Sequence, residues 1–125
     1  MMIVERSMGY PEIRDVLEGK RVFVWTCNTC ARFCGAGGKE YAEKMASDLK
    51  EDGLDVAGVL STSAACFMKN AEKMAGEAQE CDAILALCCG LGASCARRAS
   101  SIEVINPVRT LGVGYLDSEG IPRIS

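Results

Sequence analysis

Short apolar runs along the chain alternate with stretches in which apolar residues recur every three or four positions. Pro11 to Leu17 carry a helical pattern closed by Gly19, and Lys20 to Trp25 (KRVFVW) is a β-branched and aromatic run that reads as a first strand. Lys39 to Glu51 puts Tyr41, Ala42, Met45, Ala46 and Leu49 on one helical face. Glu40 and Lys44 face each other elsewhere on that helix, and Asp52-Gly53 stops it. Leu54 to Leu60 (LDVAGVL) predicts a second strand, Phe67 to Gln79 a helix, and Cys81 to Cys89 (CDAILALCC) a third strand covered on both faces. LGASCARRAS follows as a loop and short helix, and Ile102 to Val108 (IEVINPV) supplies a fourth strand. The tail from Arg109 is punctuated by Gly and Pro and shows no strong period.

Strands alternating with helices at this spacing predict one domain, residues 1–125, of the α/β class. Its expected core is an open, mostly parallel four-stranded sheet, Rossmann-like or flavodoxin-like, with flanking helices. Ligands of such sheets sit beyond the carboxyl ends of the strands, where strand order reverses. Cys27, Cys30 and Cys34 follow the first strand, Cys66 the second, and Cys88, Cys89 and Cys95 end or follow the third, so all are expected on one rim. Cys81 falls at the opposite end and is assigned to packing. Side chains alternate along a strand, so only one of Cys88 and Cys89 points past its end. Cys89, beside Gly90, is the expected one.

Composition narrows the chemistry. The net charge of −3 and pI near 5.0 give no electrostatic footprint for nucleic acid. No uninterrupted apolar stretch is long enough for a membrane span, and MMIVERSMGYPEIRD lacks the basic-then-apolar order of a signal peptide, so the chain reads as cytoplasmic. In that compartment eight cysteines point to metal or cluster ligation rather than disulfides. There is no histidine, which excludes His-based dyads and triads and leaves thiolate as the soft ligand, suited to zinc, cuprous copper or iron–sulfur clusters.

The stretch TCNTCARFCGAGG is the centre of this chemistry. Three thiols within eight residues face one metal only if the chain curls tightly, which Gly35, Gly37 and Gly38 permit, and the helix start that follows favours thiolate. Three readings fit these residues: an iron–sulfur site, a structural zinc site of four thiolates that serves protein binding, and a dithiol pair in Cys27-x2-Cys30. The dithiol pair leaves Cys34, Cys66 and Cys89 unexplained. No acid–base pair or nucleotide fingerprint is evident, so a non-catalytic role is expected.

From about Lys20 to Gly114 the sequence resembles the C-terminal or small-subunit family of methylenetetrahydrofolate reductases (MetV-like). The likeness is carried by Cys27, Cys30 and Cys34 with Gly37-Gly38, by Cys66, by Cys89-Gly90 with Gly92, and by Pro107 with Thr110 and Gly114. It implies a cysteine-ligated iron–sulfur cluster, of the four-iron, four-sulfur type, or alternatively zinc, held by Cys27, Cys30, Cys34, Cys66 and Cys89. Gly37, Gly38 and Gly90 are the cofactor-binding positions it implies. The implied role is electron transfer in one-carbon metabolism with a flavin-containing methylenetetrahydrofolate-reductase-like subunit. The sequence departs from the family pattern at Cys88, where alanine is usual, at Arg109, where asparagine is usual, and in lacking tail cysteines for a second cluster.

Overall fold

A computed structural model describes residues 1–125. Its centre is a parallel sheet of four strands, β2 (Arg21–Cys27), β3 (Asp55–Thr62), β4 (Ala83–Leu87) and β5 (Glu103–Ile105), in the order β3-β2-β4-β5. The expected α/β class, the four parallel strands and the flanking helices are all present. Helices α1 (Tyr10–Leu17) and α3 (Lys39–Glu51) cover one face, and α4 (Met68–Glu77) and α5 (Gly90–Ala99) the other. A single turn of helix, α2 (Cys30–Phe33), lies inside the cysteine-rich segment.

Strand alternation sorts the core into two halves. Val22 and Val24 of β2 and Ala83, Leu85 and Leu87 of β4 pack on Ile13, Leu17, Ala42, Met45 and Leu49. Phe23, Trp25 and Cys27 with Ile84, Ala86 and Cys88 face Ala71, Met74 and Ala96 on the other side. Both faces of β2 and β4 are buried, which is why these strands read as continuous apolar runs.

A second, antiparallel sheet was not expected. It has the order β1-β6-β7 and is built from β1 (Met2–Arg6), β6 (Val108–Leu116) and β7 (Pro122–Ile124). The tail from Arg109 onward is therefore a strand and a hairpin, and the expected fourth strand is two strands interrupted at Asn106-Pro107. The pattern of β6 was hidden because its outward positions, Leu111, Val113 and Tyr115, carry the apolar side chains, while its inward positions include Gly112 and Gly114. A methyl group on Gly114 would lie 2.1 Å from the Arg123 carbonyl oxygen, so the inward side has no room for one. This sheet closes over the carboxyl end of the main sheet: the Gly90 amide donates to Thr110 Oγ1 at 2.8 Å, and the Met2 amide points to Cys30 Sγ at 3.4 Å. No helix is long and apolar enough to cross a membrane.

Candidate metal centre

The rim is tied together by one buried hydroxyl. Thr26, wholly buried at the end of β2, donates through Oγ1 to the Leu87 carbonyl of β4 at 2.8 Å and accepts from the Gly38 amide at the same distance. Gly38, at φ +102°, is the residue from which α3 departs, and Asn28 Oδ1 accepts the Lys39 amide of its first turn at 2.8 Å. Gly37 lies against the same hydroxyl. A methyl there would sit 2.7 Å from Leu87 O and 2.8 Å from both Ala31 Cβ and Thr26 Oγ1. Gly37 and Gly38, expected as cofactor-binding positions, thus have packing and conformational reasons of their own. Gly90 opens α5 and bonds Thr110.

Within this frame Cys27 is buried at the end of β2. Its Sγ accepts from the Thr29 amide at 3.4 Å and lies 3.8 Å from the Ser63 carbonyl, to which Thr29 Oγ1 also donates. Cys30, half-buried, opens α2 beneath the Met2 amide, and Cys34 follows that helix and packs against the core. Cys66 is exposed in the turn between β3 and α4. Cys89 is buried at the N-cap of α5, with half-buried Cys95 further along that helix. Cys81 lies at the amino end of β4, away from the others, and burial pushes its thiol pKa up.

Sequence reasoning passed over Cys88. Strand β4 ends at Leu87, so Cys88 continues its alternation and joins Cys27 in the core facing α4 and α5. Burial pushes its thiol well above the usual cysteine range, and the neighbouring thiols of Cys89, Cys27 and Cys95 push the same way when ionised, while Arg97 pulls back. Asn106 fixes this strand end, donating through Nδ2 to the carbonyls of Ala86 at 2.7 Å and Cys88 at 3.0 Å. Asn106→Ala should therefore cost about 1–3 kcal/mol, measured by urea unfolding, because it strips two carbonyls of a shared donor. A cost near zero would show that water replaces it.

As folded here, no group of three or more Cys, Asp or Glu side chains is disposed to hold a metal ion. The donor chemistry nevertheless suits a soft metal or an anionic cluster. The rim segments 28–38, 63–70 and 88–95 contain only two charged residues, Arg32 and Lys69, and none of the chain's 17 acidic ones. Helix α5 begins here with Cys89 as its N-cap, which places the positive end of that helix beside a thiol. Amide N–H groups face the sulfurs of Cys27 and Cys30. The buried Trp25 Nε1, two residues before Cys27 on the same strand face, has no acceptor. Comparison with protein-family models, curated proteins and solved structures gives no match.

Proposed function

We propose that this chain is a small, non-catalytic subunit whose thiols hold an iron–sulfur cluster of the four-iron, four-sulfur type, and that it exchanges electrons with a flavin-containing methylenetetrahydrofolate-reductase-like subunit. The observation that carries the reading is that six of the eight cysteines stand at the carboxyl end of the parallel sheet, with Cys95 further along α5, in segments free of carboxylates. Numbered by first appearance, the parallel strands run 2-1-3-4, which supports the flavodoxin-like identity of the sheet. The order reverses between β2 and β4, where Cys27 and Cys88 emerge.

A cluster supplies a one-electron carrier. The chain's part is to provide thiolates, to aim amide N–H groups at them, and to keep water from the inner ones with the β1-β6-β7 sheet. Phe33, Phe67 and Leu91, one from each rim segment, remain exposed and offer apolar surface beside the thiols for the flavoprotein. Electron transfer requires such proximity, and an aromatic and apolar centre is what a stable protein contact needs.

Anaerobic purification followed by iron, sulfide and zinc analysis tests the reading. The expected protein is brown and carries iron with acid-labile sulfide. Stoichiometric zinc in a colourless protein would replace it with the structural zinc module, and absence of both metals would reject it. Co-expression with a flavoprotein of that class should give a complex in which the reduced flavin bleaches the cluster absorption. Failure of the metal-loaded chain to associate would remove the partner while leaving the metal centre standing.

A further inference from the structure

We infer that Cys88 is a ligand of the thiolate centre, beside Cys27, and that Cys66 is not. The inference rests on the metal-binding reading above but departs from the ligand set that the family resemblance implies, which contains Cys66 and has no cysteine at position 88.

Three observations converge on Cys88. The first is register. Trp25 pairs with Ala86 and Thr26 with Leu87, so one further step along these parallel strands sets Cys27 beside Cys88, and both face the same half of the core. Neighbouring strands are spaced about 4.8 Å apart. Two thiolates on one tetrahedral metal, at about 2.3 Å each, stand about 3.8 Å from each other. Small changes of side-chain rotamer bridge that difference, with no movement of the sheet.

The second observation is a shared floor. Cys27 Sγ lies against the Ser63 carbonyl. Cys88 Sγ lies against Gly92, where an added methyl would meet it at 2.8 Å and would meet Ala65 Cβ at 2.7 Å. Both sulfurs therefore sit over the same short loop, Ser63 to Ala65, where β3 leads to α4. The third is supply. Cys95 follows Gly92 by one helical turn and packs against the core cluster that contains Cys27, Cys88 and Cys89, so two further thiols line the same half of the core as this pair. Cys66, by contrast, is exposed and has no hydrogen bond that would turn its sulfur inward.

Cobalt(II) titration of the reduced, metal-free chain tests this, with zinc(II) displacement giving affinities. Wild type should develop thiolate-to-cobalt charge-transfer absorption. C88A and C88S should each lose about a quarter of that intensity or more, one ligand in four, and at least about tenfold in affinity. C66A and the distant C81A should behave as wild type. Serine keeps the size of the side chain and alanine its apolar character, and circular dichroism identifies which variants are folded. Wild-type behaviour of a folded C88A or C88S, or the expected loss appearing in C66A instead, would overturn the assignment. A wild-type chain that shows no thiolate band at all would overturn the metal reading along with it.

Discussion

Thr26→Val should lower the free energy of unfolding by about 2–5 kcal/mol, one of the largest effects expected from a substitution that hardly alters size. The hydroxyl is wholly buried and serves both the Leu87 carbonyl and the Gly38 amide. Removing it strands one buried acceptor and one buried donor, each costing about 1–3 kcal/mol when left without a partner. Thr26→Ser keeps the hydroxyl and loses only a methyl group, so it should cost about 1 kcal/mol. Gly37→Ala attacks the same knot sterically. Its methyl meets a backbone oxygen at 2.7 Å, which cannot rotate away, so a cost of about 3 kcal/mol, at the upper end of overpacking, is expected. Urea unfolding of the four proteins separates the mechanisms. If Val and Ser at position 26 are equally stable, the hydroxyl is not what joins β2, β4 and α3.

Much of this frame was legible in the sequence. The pattern predicts α3 at its observed span, Lys39–Glu51, because glycines precede it, Asp52-Gly53 ends it, and its apolar face is regular. The apolar run predicts β4 from Cys81 to Cys89, longer than the strand Ala83–Leu87, because buried cysteines extend the run beyond the hydrogen-bonded residues. The antiparallel sheet escaped notice for a different reason. Strand β1 finds its partner more than a hundred residues away, and β6 carries its apolar residues on the outward face. The cysteine rim followed from strand direction alone and needed no register. That Cys88 comes to stand beside Cys27 did need it, because this pairing depends on how β4 slides along β2, and no local pattern encodes that. The hydroxyl tie through Thr26 was invisible too, since a threonine in an apolar run looks like any other β-branched strand residue.

Zinc(II) loading of the reduced chain should raise its thermal midpoint by about 15 °C, and Cys27→Ser should abolish most of that gain. The unloaded chain already buries a two-sided core, so metal adds to an existing fold rather than creating one. The increment then follows mass action. Free metal at a thousand times its dissociation constant adds about 4 kcal/mol. In a chain of 125 residues each kcal/mol moves the midpoint by about 4 °C, which gives the expected shift. Cys27 is the pivot because its sulfur adjoins the Thr29 amide, the Ser63 loop and, by register, Cys88. Serine at position 27 keeps the size of the side chain but supplies a hydroxyl that soft metals bind poorly. The variant should therefore melt near the midpoint of metal-free wild type whether zinc is present or not. An equal midpoint for wild type with and without zinc, at metal concentrations well above the protein's, would mean that the native rim gains nothing from a metal. An undiminished shift in Cys27→Ser would mean instead that the centre is built without the thiol at the end of β2.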